Sequence, residues 1–259
     1  MCRLLGIPRS SYYYKAADLV AESELEASVE KIFLENQKRY GARKIKQKLE
    51  QEGVTVSRRR IRRVMKRLNL VSLYQEAAFK PYSKGKNEAP IPNHLDRQFD
   101  AKNPLEAIVT DLTYVRVKNR WAYVCFIIDL YNREIIGLSV GWHKTAELVK
   151  QAIQSIPYAL TKVNLFHSDR GKEFDNQLID EMLEAFDITR SLSQAGCPYD
   201  NAVAESTYCA FKIEFINQES FRTLEELAAK TRDYVHWWNY HRIHGSLNYQ
   251  TPMAIRLIA

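Results

Sequence analysis

The chain has 259 residues, 46% of them hydrophobic, with 38 Lys and Arg against 31 Asp and Glu. That length suits one large domain or two small ones, and the composition is globular rather than disordered. No apolar run approaches the roughly 18 residues of a membrane span, and no signal-peptide pattern follows Met1, so a soluble intracellular protein is expected. Cys2, Cys125, Cys197 and Cys209 form no CxxC pair, and no Cys pair matches His241 and His244, so neither a disulfide framework nor a zinc knuckle is expected.

Residues 1–23 carry the cluster Tyr12-Tyr13-Tyr14, which reads as a docking or packing segment. Residues 24–36 are predicted helical, with Leu25, Val29, Ile32 and Phe33 on one face. A second helix is predicted over 42–52, with Ile45 and Leu49 inward and Gly53 as its stop. Ser57 is placed to N-cap a third helix running to about Leu68, whose apolar stripe is Ile61, Val64, Met65 and Leu68. Between Arg39 and Arg67 stand 12 Lys or Arg and 2 acids, a net +10 in a chain whose total is +7. A basic block of this density is the electrostatic footprint of a nucleic-acid contact, and helix, short turn, Arg-rich helix is the helix-turn-helix plan. The candidate DNA contacts here are Arg43, Lys44, Lys46, Arg58, Arg59, Arg60, Arg62, Arg63, Lys66 and Arg67; the competing reading is a solvated basic face. Residues 72–104, with Pro81, Pro90, Pro92 and Pro104, read as a basic linker.

From about Leu105 the pattern becomes β. Strands are predicted over 107–117, 121–130, 134–140, 163–166 and 189–192, with helices over 145–155 and 176–186. The expected fold is therefore an α/β core, a mixed five-stranded sheet flanked by helices, preceded by a small all-helical domain. A long helix over 224–240 and a short turn over 254–257 follow, and Trp237, Trp238 and Tyr240 read as core packing.

Three acids stand out. Asp111 interrupts the apolar run from Ala107 to Val115, Asp169 directly follows another from Val163 to Phe166, and Glu205 lies early in a predicted helix that Asp200 is placed to N-cap. A charge within a buried strand is costly unless paired, and three such carboxylates suit one shared hard divalent cation, Mg²⁺ or Mn²⁺. Asp129 and Asp175 lie nearby, but a strand end and a helix cap account for them.

Asp111, Asp169 and Glu205, with 35 residues between the last two, stand in the words TDLTY, HSDRG and GCPYDNAVAES, and WWNYHRIHGSLNYQTP follows. Together these motifs resemble the DDE transposases and retroviral integrases. More narrowly, they resemble the downstream-frame protein of two-frame bacterial insertion sequences, over roughly residues 38 to 256. The resemblance implies an RNase H-like catalytic core over 105–219, a helix-turn-helix region over 1–71 before the linker, and a helical tail over 220–259. It implies that Asp111, Asp169 and Glu205 are catalytic and hold Mg²⁺ or Mn²⁺, two ions, for strand cleavage at element ends and strand transfer by the freed 3′-OH.

The partners implied are double-stranded DNA (terminal inverted repeats and target) and the upstream-frame protein or its frameshift fusion, in an oligomer on DNA associated with the nucleoid. Lys212, two helical turns beyond Glu205 and on one face with Asn201 and Tyr208, matches a basic residue that meets terminal DNA in the family. Arg170 and Lys172 are further DNA candidates, and His167 either orients a phosphate or is a satisfied strand-end histidine. An RNase H-like nuclease without strand transfer, or a non-catalytic DNA-binding regulator, are the alternatives.

Overall fold

The structure, a computed structural model, describes residues 22–74 and 91–259, which fall into two compact units divided after Tyr74. The first holds α1 (Glu22–Glu35), α2 (Ala42–Gln51) and α3 (Arg58–Arg67). The latter two have 10 residues each, too short to persist alone in water, so packing holds them. Their stripes supply it: Leu25, Val29, Ile32 and Phe33 meet Ile45, Leu49, Ile61, Val64 and Met65, all buried. Ser57 caps α3 as expected, its Oγ accepting the Arg60 N–H at 3.2 Å, a contact of about 1 kcal/mol. Gly53 supplies the positive φ of +81° that turns the chain after α2. The Tyr12–Tyr14 cluster and the central part of the expected linker lie outside the described residues.

The second unit is built on a 5-stranded sheet in the order β3-β2-β1-β4-β5. In chain order its elements are β1 (Ala107–Val117), β2 (Arg120–Asp129), β3 (Ile135–Gly141), α4 (Ala146–Gln154), β4 (Leu165–Ser168), α5 (Gln177–Ala185), β5 (Thr189–Leu192), α6 (Ala202–Glu214), α7 (Leu224–Tyr240) and α8 (Pro252–Arg256). The first three strands form an antiparallel meander, whereas β4 runs parallel to β1 and β5 parallel to β4. This is the RNase H-like arrangement expected. Alternate residues of β1 and β2 feed two cores. Val109, Val124, Phe126 and Ile128 pack with Phe211, Leu227 and Tyr234 of α6 and α7. Ile108, Cys125 and Ile127 pack on the other side with Val149 and Ala152 of α4 and Ile179 of α5. Burial on both faces is why these strands read as nearly continuous apolar runs. Gly137 lets α4 approach β3: a Cβ there would lie 2.6 Å from the Ala152 carbonyl oxygen.

Several details differ from the sequence reading. From residue 91 the stretch read as linker belongs to the second unit: Leu95 is buried in its core, and Arg97 Nε donates to Asp200 at 2.7 Å. Asp200 therefore does not cap α6. Its carboxylate accepts from Arg97 and, at 2.9 Å, from the Gln194 N–H, while a 3₁₀ turn, Pro198–Asn201, leads into the helix. Asp175 does not cap α5 either. Asn176 does, accepting the Ile179 N–H at 3.1 Å, and Asp175 pairs with Arg190. The tail is part of the core rather than an appendage. Trp238 and Tyr234 are buried, Trp237 is partly buried and Tyr240 is exposed. Arg242 is clamped on the buried carboxylate of Glu214 at 2.8 Å. Arg256 of α8 pairs with two buried acids, Asp129 at 2.7 Å and Glu134 at 2.7 Å.

Candidate active site

Three elements deliver the three acids to one place. Asp111 projects from the middle of β1, Asp169 follows the last residue of β4, and Glu205 sits in the first turn of α6. All three line one open cleft of ≈ 410 Å³, together with Arg170, Gly171, the Ser193–Cys197 loop and Asn201. Parallel pairing of β1 and β4 brings the first two together, with Val109 opposite His167 in register. Asn201 ties α6 to β1 by donating from Nδ2 to the Thr110 carbonyl at 2.9 Å. A positive φ at Gly196, +72°, turns the loop that walls the cavity.

The electrostatics are those of like charges held out of water. Burial, reinforced by the charges of Asp169 and Glu205, pushes the Asp111 carboxyl up to about 7. A hydrogen bond from the Leu112 N–H at 2.7 Å and the charge of Lys144 hold it back from rising further. Asp169 is raised by burial and by Glu173, while the Gly171 N–H at 3.0 Å opposes the shift. Glu205, the most exposed of the three, is raised by desolvation alone. Three hard oxygen ligands that repel one another fit a divalent metal ion. Among the described residues, no three His, Cys, Asp or Glu side chains are already drawn into a closed ligand set. The acids share a cleft with room between them.

The other sequence candidates divide. Arg170 lines the cleft, its Nε donating to the Ser193 carbonyl at 2.7 Å, whereas Lys172 is exposed and is not among the lining residues. Asn201 is buried, so its amide braces the helix. His167 is the satisfied histidine: buried, with Ser191 Oγ at 2.9 Å and Ser193 Oγ at 3.0 Å on its two nitrogens, and pushed down to about 4 by burial. Lys212 is not in the acid cleft. It lines a separate groove with Tyr114 and Trp121.

In the first unit Arg43, Arg58, Arg59, Arg62, Arg63 and Lys66 are exposed. Arg60 and Arg67 turn back onto α1, both pairing with Glu22, at 2.7 and 2.8 Å. Lys46 pairs with Glu50, and Lys44 lies 4.9 Å from the Tyr40 ring centroid. Helical periodicity assigned these cations to a polar face but carried no sign of which ones an acid on α1 would capture.

Two residues of the site escaped the sequence reading. Lys144, just before α4, pairs with the buried Glu173 at 2.7 Å and adds positive charge beside Asp111 and Asp169. Nothing local marks it, because its partner is far along the chain. Tyr208 was seen only as a neighbour of Glu205 on the helix; its hydroxyl donates to the Asp111 carbonyl oxygen.

An HTH-like domain family matches residues 20–78, and two integrase core domain families match 101–198 and 186–252. The InsK protein of insertion sequence element IS150 from Escherichia coli K12 is 29% identical over 99% of this chain and 92% of its own length. The transposase of element IS629 from Shigella sonnei is 27% identical over 97% and 88%. The HTLV-2 integrase catalytic core, solved with magnesium, is similar over 59% of this chain and 96% of its own, with 16% identity and a TM-score of 0.43. The chain thus matches an HTH-like domain family followed by two integrase core domain families, and over nearly its full length it is similar to insertion-sequence transposases.

Proposed function

We propose that this transposase cleaves DNA at the ends of its element and joins the freed 3′-OH to a second strand, with Asp111, Asp169 and Glu205 as its catalytic residues. The single observation that supports this most is that three acids from three elements line one cleft. The integrase-core family is divalent-metal dependent. The three carboxylates would hold Mg²⁺ or Mn²⁺, two ions in our reading, which when bound activate an oxygen nucleophile and offset charge at phosphorus and the leaving oxygen. The chain's own residues do the rest. The β1–β4 pairing and α6 set the spacing of the acids, and burial of Asp111 and Asp169 limits water around them. Arg170 at the cleft and the exposed Lys172 two residues on offer cations to the DNA backbone, and Lys144 keeps Asp111 from still greater protonation. Exposed Arg43, Arg58, Arg59, Arg62, Arg63 and Lys66 make the helix-turn-helix unit the holder of duplex DNA at the terminal repeats. An upstream-frame protein, separate or fused, and an oligomer on DNA at the nucleoid complete the proposal.

The test is incubation of the full chain, with and without the upstream-frame protein, with labelled element-end DNA and Mg²⁺ or Mn²⁺. A joined product is expected, and Asp111→Asn, Asp169→Asn and Glu205→Gln should each abolish it while the protein stays folded. Cleavage without any joined product would favour a nuclease. Wild-type cleavage by any one variant would remove that residue from the triad.

A further inference from the structure

The tip of the β1–β2 hairpin carries two exposed aromatic rings that the acid cleft does not use. Tyr114 is 58% and Trp121 47% exposed. They meet edge to face, centroids 5.1 Å apart. A cation sits over each: Lys212 Nζ lies 4.9 Å from the Tyr114 centroid, and the Arg116 guanidinium 5.1 Å from that of Trp121. The four side chains line a groove of ≈ 380 Å³ together with Asn217 and Glu219. The charge of Glu219 is already engaged by Lys230 at 2.7 Å. The tip is held firmly, because Val117 bridges to Phe221 and the Lys118 N–H donates to the Phe221 carbonyl at 3.1 Å.

Rings of this size left in water cost burial free energy, and an aliphatic core-builder gains nothing from flanking cations. Alternating rings and cations suit a ligand that is flat, apolar on its faces and anionic along its edge. An unpaired nucleotide has that chemistry, with a base to stack and a phosphate to pair. A base within an intact duplex has both faces occupied and cannot use the platform.

We propose that Tyr114 and Trp121, flanked by Lys212 and Arg116, form a stacking platform for unpaired nucleotides of the DNA strand whose phosphate enters the acid cleft. This rests on the transposase reading above. Helix α6 sets the distance. Lys212 lies two turns beyond Glu205, about 10 Å along the axis, which is roughly three nucleotides at about 3.4 Å each along a stacked strand. The platform thus holds the few nucleotides next to the cut, and holding them unpaired opens the duplex there.

The experiment measures fluorescence anisotropy of labelled DNA with the full chain in metal-free buffer, where no cleavage intervenes. One probe is a blunt duplex and the other is the same duplex with a single-stranded 3′ tail. Wild type should bind the tailed probe more tightly. Trp121→Ala and Tyr114→Ala should each lose that gain, by about 5- to 150-fold, while affinity for the blunt probe hardly changes. Trp121→Phe should retain most of the gain, which separates ring loss from misfolding, and the melting curves of all variants should overlay. Equal binding of the two probes by wild type, or an undiminished preference in both Ala variants, overturns the platform. So does a fall in oligomer mass in the Ala variants with DNA preference intact, since the rings would then be a protein contact. The transposase reading fails separately, through absence of a joined product with metal present.

Discussion

Tyr208 and Asp111 are bonded directly: the Tyr208 hydroxyl donates to the Asp111 carbonyl oxygen and accepts the Phe126 N–H at 2.6 Å. Asp111 and Phe126 are partners in the β1–β2 ladder. The helix that carries Glu205 is therefore pinned, three residues on, at the rung that carries Asp111. Phe126 and Tyr208 also stack, centroids 5.1 Å apart. Replacing the hydroxyl leaves the ring packed but unties the rung.

Tyr208→Phe should accordingly lower stability by about 1–3 kcal/mol and lower the rate of strand cleavage more than DNA affinity. Denaturant melts together with single-turnover cleavage at saturating DNA measure both. An unchanged cleavage rate would mean that α6 keeps its place without the hydroxyl.

Asp111 makes stability depend on pH. Its folded pKa of about 7 lies above the free value of 3.8, so the folded state keeps the proton to higher pH than the unfolded chain. The stabilisation is full below about pH 3.8 and is lost as pH rises toward 7. Metal-free wild type should therefore lose on the order of 1–3 kcal/mol relative to Asp111→Asn across that window. His167, held down at about 4 by burial, works in the opposite sense, losing stability as pH falls from 6.5. The difference between wild type and Asp111→Asn cancels it. Adding Mg²⁺ or Mn²⁺ near neutral pH should restore wild type but not the variant, as read by melting temperature.

The cations of α3 should separate into two groups. Arg62→Ala and Arg63→Ala should weaken duplex binding and each reduce the log–log salt slope by about 1. Arg60→Ala should leave the slope unchanged and lower the melting temperature modestly, because its guanidinium is spent on Glu22. Gel shifts over a salt series distinguish them, and an equal slope change for Arg60 would show that the pair opens on DNA.

Gly137→Ala should destabilise the core by about 1–3 kcal/mol. The added Cβ would meet the Ala152 carbonyl oxygen at 2.6 Å and the Ile127 Cβ at 3.1 Å. The first is backbone, so relief requires α4 to move off β3. Urea denaturation tests this, and a neutral result would show that α4 rides further from the sheet.

Much of this was legible in the chain itself. The strand over Thr189–Leu192, the helix over Leu224–Tyr240 and the Ser57 cap follow from patterns a few residues wide, and hydrophobic periodicity is such a pattern. The convergence of Asp111, Asp169 and Glu205 followed from motif and spacing. What stayed hidden depends on partners distant in sequence. Asp200 reads as a cap until Arg97 claims it, and nothing near Arg60 in sequence foretells its pairing with Glu22. Lys212 shares a helix face with Glu205, yet a face is a direction and not a cavity. Seven residues carry the ammonium along α6 into the aromatic groove.

Arg256 sets a condition on synthesis. Asp129 and Glu134 are buried acids in the middle of the chain, and the cation that answers them comes 127 residues after the first. On the ribosome the sheet strands emerge first. Until Arg256 arrives, closing the core leaves the two carboxylates without its charge, held by neutral donors such as the Leu105 N–H at 3.0 Å on Asp129 and the Tyr158 hydroxyl at 2.8 Å on Glu134.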